Sequence, residues 1–205
     1  MAGKFDLERS LVEVLLRRRG MAAERYIDPN ASGDETGADV IAIIDGRWIG
    51  IQVTRLDTGE VAGKARREEI KAWRDSQAEG RSTYGGFAQN DVEKVLDAIK
   101  RAVASKRQQV VGCDESWLLI SANVPEEKPA LISTFVMSPW LSPESLDRVT
   151  SDLLAKTNYK HAFLHCIVGD ENALYCRATE GTWKKSVTPK RNDGPSFWDI
   201  QKHMR

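Results

Sequence analysis

Asp39, Gln52 and Thr54 stand in the stretch GADVIAIIDGRWIGIQVTRL, Gly37 to Leu56, where two apolar runs otherwise read as buried strand. An acid, an amide and a hydroxyl there put oxygen-bearing side chains where a core favours valine. Residues two apart in a strand share a face, so Gln52 and Thr54 point together and Arg55 points away. Asp45-Gly46 is a strong hairpin signal. Folding the two runs back on each other brings Asp39 near Gln52 and Thr54, to within a residue or two of register. A further acid comes from the leading segment. Glu8 has Leu11, Val12 and Leu15 as its i+3, i+4 and i+7 neighbours, so it projects on the apolar side of a helix, where a carboxylate needs a partner or a metal. Glu13 has Arg9, Ser10, Leu16 and Arg17 around it, a wetter face. Five apart, the two acids cannot both face one site, and Glu8 is the better candidate.

The elements that must position these groups follow from periodicity. Leu7 to Arg19 reads as an amphipathic helix, with Asp6 able to cap its start and Gly20 ending it after three arginines. Arg25 to Ile27 is a short strand candidate, and Asp28 to Gly37 is turn chemistry throughout. Val40–Ile44 and Trp48–Leu56 are the hairpin strands. A charged helical segment over 61–77, a loop over 80–89 and a clearer helix over Asp91–Arg107 come next, the last with Val92, Val95, Leu96, Ile99 and Val103 on one face. Trp117–Ala122 reads as a central strand and Ser133–Met137 as a shorter apolar run. Pro143–Lys156 is a helix with Ser142 as N-cap. His161–Val168 and Ala173–Thr179 are two strands around the turn Gly169–Asn172. Helices alternating with strands in this order imply an α/β layer architecture, a mixed central sheet flanked by helices.

The chain has 205 residues, 41% of them hydrophobic and 29% charged, enough for one domain with a real core. No run approaches the roughly eighteen apolar residues of a membrane span, and the first residues lack the apolar core of a secretory signal. Cys113, Cys166 and Cys176 form no CxxC pair and read as reduced thiols of a cytoplasmic protein, although Cys166 and Cys176 could be hairpin neighbours. Thirty basic residues balance thirty acidic ones, so bulk charge does not announce a nucleic-acid binder. The distribution is uneven: 181–205 carries Lys184, Lys185, Lys190, Arg191, Lys202 and Arg205 against Asp193 and Asp199. That reads as a basic C-terminal tail following a domain over 1–180, able to contact phosphates or simply to be solvated.

Asp39 followed by Gln52-Val-Thr54 resembles the PD-(D/E)xK nuclease superfamily, whose restriction-endonuclease-like core places an acid on one strand and (D/E)xK on the next. Glu8-Arg-Ser-Leu-Val12, Gly20, Ser32-Gly33 and Ala38-Asp39-Val-Ile41 resemble one branch more closely, the archaeal Holliday-junction resolvases. The likeness covers roughly the first 56 residues. It implies a divalent-metal-dependent DNA endonuclease, with Mg²⁺ or Mn²⁺ as cofactor, DNA as partner and pairing of two copies. The matching positions are Glu8, Ser32, Asp39, Gln52 and Thr54; Glu8, Asp39, Gln52 and the backbone carbonyl of Val53 make up the implied metal set. The departures have consequences. Gln52 replaces an acid, and an amide oxygen still ligates a hard cation but brings no charge. Thr54 replaces the lysine that orients or deprotonates the attacking water, and a threonine supplies no cation. Lys64 or Lys71, on the following segment, are the candidates to reach in from another backbone position.

Each residue also has a plain structural reading. Asp at a strand start and Gln-x-Thr on a half-exposed strand are both common. Loss of the motif lysine equally suits a nuclease fold without catalysis, acting as a nucleic-acid-binding or protein-interaction module, for instance in a defence or restriction system. An unrelated α/β binding protein would leave Glu8 far from Asp39. Of the other candidates, His161 and His165 lie about 13 Å apart along one strand, too far to share an ion with Cys166. Tyr84-Gly-Gly-Phe87 lacks the setting of a phosphate-binding loop. Trp117 reads as core, and Trp183 and Trp198 as residues that pin the tail or stack on bases.

Overall fold

In the computed structural model the described residues are 4–31, 33, 36–56, 92–106, 109–121, 136–137, 141–168 and 171–189. Among them the chain forms α1 (Lys4–Arg18), β1 (Arg25–Ile27), β2 (Val40–Ile44), β3 (Arg47–Arg55), α2 (Val92–Ser105), β4 (Glu115–Ser121), β5 (Val136–Met137), α3 (Pro143–Leu154), β6 (His161–Val168), β7 (Glu171–Ala178) and β8 (Lys184–Pro189). The helical segment and loop expected over 61–89, with Lys64 and Lys71, lie outside the described residues, as do Ser32, Tyr84 to Phe87 and Trp198.

Local chemistry sets the element ends. Gly20 takes a φ of 67°, and Met21 N–H donates to Leu16 O while Gly20 N–H donates to Arg17 O, the paired bonds of a Schellman motif that close α1. Asp6 falls within the first turn of α1 rather than before it. Asp45 and Gly46 both have positive φ, 50° and 71°, as a type I′ turn requires, and the turn fixes the register Ile44↔Arg47 to Val40↔Ile51. Ser142 caps α3 in a reciprocal capping box with Ser145.

One mixed sheet results, ordered β1-β2-β3-β4-β6-β7-β8, with β5 pairing β6 beyond the end of β4. β3, β4 and β6 are parallel neighbours. Their two crossovers step the same way, so right-handed connections put α2 and α3 on one face. Val95, Leu96, Ile99 and Val103 of α2 and Leu146 and Leu154 of α3 pack there with Ile41, Leu118, Ile120 and Leu164. On the other face α1 lays Leu11, Val12, Leu15 and Leu16 against Val40, Ala42, Ile51, Val53, Leu119 and Phe163. No helix among the described residues is long and apolar enough to cross a membrane.

The sheet departs from the expected organisation at its C-terminal end. Of the basic tail expected over 181–205, Lys184–Pro189 form β8, a strand added to β7, while 190–205, with Lys190, Arg191, Lys202 and Arg205, lie outside the described residues. Trp183 is buried, its indole N–H donating to Thr150 Oγ1 at 2.9 Å, which fastens the strand to α3. Cys166 and Cys176 are hairpin residues but not neighbours: Cys166 pairs with Ala173 and Cys176 with Phe163. Cys166 packs in the α2/α3 layer and Cys176 against the α1 layer, so all three thiols are free.

Candidate active site

The hairpin register, continued one step past Val40↔Ile51, sets Asp39 opposite Gln52, and cross-strand partners share a face. Asp39 stands one residue before β2, partly buried, and its carboxylate is fixed by the backbone. Oδ2 accepts the N–H of Val53 at 2.8 Å. Asp39 N–H in turn donates to Ile51 O at 3.0 Å. The acid is thus anchored to β3 at both ends.

Two lysines meet this carboxylate from opposite layers. Lys106, in the turn that follows α2, places Nζ 2.6 Å from Asp39 Oδ2. Lys4, in the first turn of α1, places Nζ 3.5 Å from Asp39 Oδ1 and 3.5 Å from Glu8 Oε1. Glu8 is buried as its helical phase requires, 8% exposed. Its Oε2 is a buried oxygen with no hydrogen-bond partner among the described residues. Burial first, and the Asp39 charge second, push the Glu8 carboxyl above its ordinary range, with Lys4 opposing both. Glu13 instead takes Arg9 Nε at 3.0 Å on the outer face.

Gln52 is 3% exposed and its amide is engaged at both ends. Nε2 donates to Gly37 O, and Oε1 faces the hydroxyl of Tyr159. That hydroxyl also lies 2.6 Å from Lys106 O. Burial, with a smaller contribution from Asp39, raises the Tyr159 phenol far above its ordinary range, so it stays a neutral donor. A continuous chain therefore runs Gln52–Tyr159–Lys106–Asp39. Thr54 follows Gln52 along β3, partly exposed and paired with Ile120 of β4.

Of the expected residues, Glu8 and Asp39 are linked through Lys4, Val53 meets Asp39 with its N–H where its carbonyl was the expected ligand, and Gln52 joins through Tyr159 and the Lys106 carbonyl. The structure adds three residues that the sequence reading missed: Lys4, Lys106 and Tyr159. For Lys106 a signal existed. It sits at i+7 from Ile99 and i+3 from Val103, one residue past α2 and in line with its apolar stripe, the phase that singled out Glu8. Tyr159, 53 residues further along the chain than Lys106, carries no such mark.

Other clusters are structural. Glu115 at the opposite end of the β3–β4 ladder bonds Lys160 Nζ at 2.8 Å, Trp117 Nε1 at 3.0 Å and Arg47. Although burial acts the other way, these partners hold its carboxyl below the ordinary range. His161 stacks among Trp117 and Phe163. His165 is buried, and desolvation, with Arg18 adding, pushes its imidazole down to about 3, so it remains neutral. No group of three or more His, Cys, Asp and Glu side chains converges among the described residues. Compared with known protein families, with curated proteins and with solved structures, the chain matches none.

Proposed function

We propose that this chain is a divalent-metal-dependent endonuclease that hydrolyses phosphodiester bonds in DNA, built on a restriction-endonuclease-like core of the PD-(D/E)xK kind. The observation that carries the reading is Lys106 Nζ at 2.6 Å from Asp39 Oδ2. In this reading Lys106, from the turn after α2, supplies the cation that Thr54 lacks.

The residues present fit a hard cation. Mg²⁺ is held by one or two carboxylates and keeps several waters, so Glu8 and Asp39 meet its needs without a third acid. The orphaned Oε2 of Glu8 supports the assignment, since a buried carboxylate oxygen without a partner costs stability unless a cation or proton compensates it. Gln52 Oε1, which accepts from the Tyr159 hydroxyl, would be a neutral ligand oxygen. When bound, the metal polarises the phosphoryl oxygen and lowers the pKa of a bound water. The protein's own share is positioning and charge. Val53 N–H fixes Asp39, the Lys106 ammonium offsets charge gathering on the phosphate, and Tyr159 holds the Lys106 backbone in place.

One observation favours a second reading, a nuclease-like fold that binds nucleic acid or protein without catalysis. The Gln52 amide is already spent on Gly37 and Tyr159, and Lys4 and Lys106 already neutralise the two acids. Incubation with linear, nicked and branched DNA in Mg²⁺ and in Mn²⁺ separates the two. The endonuclease reading expects cleavage that needs the metal and is lost in Asp39→Ala. Binding without cleavage in either metal favours the second.

A further inference from the structure

Lys4 bridges the two carboxylates of the candidate site, 3.5 Å from Glu8 Oε1 and 3.5 Å from Asp39 Oδ1. Its side chain is 74% exposed while those of the acids are 11% and 13% exposed. A single positive charge thus enters from solvent and rests between a buried carboxylate and a partly buried one. Lys106 differs in kind: it is 25% exposed, 2.6 Å from the far oxygen of Asp39, and its carbonyl is tied to Tyr159. Removing Lys106 disturbs a packed turn; Lys4 leaves by rotating into water.

We propose that Lys4 is the resident counter-ion of the cation site, displaced when a divalent metal binds, and that it thereby sets the metal affinity. This rests on Glu8 and Asp39 being the metal ligands. An ammonium is a compact point charge with three donors, and it satisfies only Oε1 of Glu8, leaving Oε2 without a partner among the described residues. A divalent ion brings twice the charge to the same two carboxylates. The contest is close, because an exposed ion pair is worth at most about fivefold in an equilibrium constant. Lys4 is therefore a competitor that tunes the site without closing it.

The test is titration of the full chain with Mn²⁺, followed by calorimetry, for the wild type, Lys4→Met and Arg9→Met. Arg9 lies on the same helix, pairs with Glu13 away from the site, and controls for the general loss of one positive charge. Lys4→Met is expected to bind Mn²⁺ about two- to fivefold more tightly, with Arg9→Met unchanged; Lys4→Gln is the substitute if the first variant folds poorly. Equal or weaker binding in Lys4→Met, or equal tightening in Arg9→Met, overturns the inference while leaving the metal site standing. No Mn²⁺ uptake by wild type or variant removes the metal site itself, and this inference with it.

Discussion

Lys106 Nζ lies 2.6 Å from Asp39 Oδ2 across 67 residues of sequence. Two features make this pair more than a surface contact. Asp39 Oδ2 also takes the N–H of Val53, so the carboxylate cannot swing to follow the lysine. Lys106 is held through its own carbonyl by Tyr159, whose hydroxyl reaches Gln52 as well. Strand and helix therefore present acid and ammonium to each other in a fixed geometry.

If Lys106 supplies the cation that Thr54 lacks, Lys106→Met lowers the rate of DNA cleavage by about 10²- to 10³-fold, the scale of losing one charge-stabilising donor. Adding Thr54→Lys to that variant returns part of the lost rate, because residue 54 follows Gln52 on the same strand face. Single-turnover cleavage rates of the wild type, the single variant and the double variant measure this. Full activity in Lys106→Met excludes the role.

Tyr159→Phe removes a buried hydroxyl that faces Gln52 and Lys106. The expected destabilisation is about 1–3 kcal/mol, since buried acceptors lose their donor. Urea unfolding measures it as a lower midpoint at unchanged slope. A midpoint equal to wild type means the Gln52–Tyr159–Lys106 chain is not formed.

Glu8 carries a pH signature. Its folded-state carboxyl is raised above the ordinary 4.5, so the folded state holds the proton more tightly than the unfolded chain. The stability this gives is present in full below pH 4.5 and is lost as pH rises through the raised value. Glu8→Gln does not titrate. In metal-free buffer its melting temperature should match that of the wild type near pH 4 and exceed it at pH 7. Mn²⁺ should raise the wild type by more than the variant, which keeps Asp39 but loses one charged ligand. A difference independent of pH contradicts the assigned environment.

Gly50 lies under the segment that joins α2 to β4. An added Cβ would stand 2.5 Å from Val110 Cγ1 and 2.9 Å from Cys113 Sγ. Val111 N–H bonds Thr36 O at 2.9 Å, so displacing this segment also disturbs the Gly37 carbonyl that holds Gln52. Gly50→Ala is expected to cost about 1–3 kcal/mol by overpacking, read from chemical denaturation. A variant as stable as the wild type shows that the segment yields freely.

Local chemistry made part of this legible in advance. Asp45-Gly46 fixes a turn type and therefore a register, and the register alone sets Asp39 against Gln52. The phase of Glu8 on its helix is a matter of 3.6 residues per turn, and Ser142 announces its helix by its capping side chain. What escaped was set by long-range packing. Lys106 meets Asp39 only because a right-handed crossover lays α2 against β4, the neighbour of β3, and Tyr159 arrives from the segment just before β6. β8 escaped for a different reason. Lys184, Lys185 and Pro189 suit a solvated tail and an edge strand alike, since charge and proline are what protect an open sheet edge.

The most direct test of the account is the initial rate of DNA cleavage in Mn²⁺ for the wild type and Asp39→Asn, prepared identically and checked for equal folding. Asparagine keeps the shape of the side chain and removes its charge. Metal-dependent cleavage by the wild type and a fall of at least about a hundredfold in the variant are expected. Equal cleavage by both proteins, or none by the wild type, would contradict the proposed function.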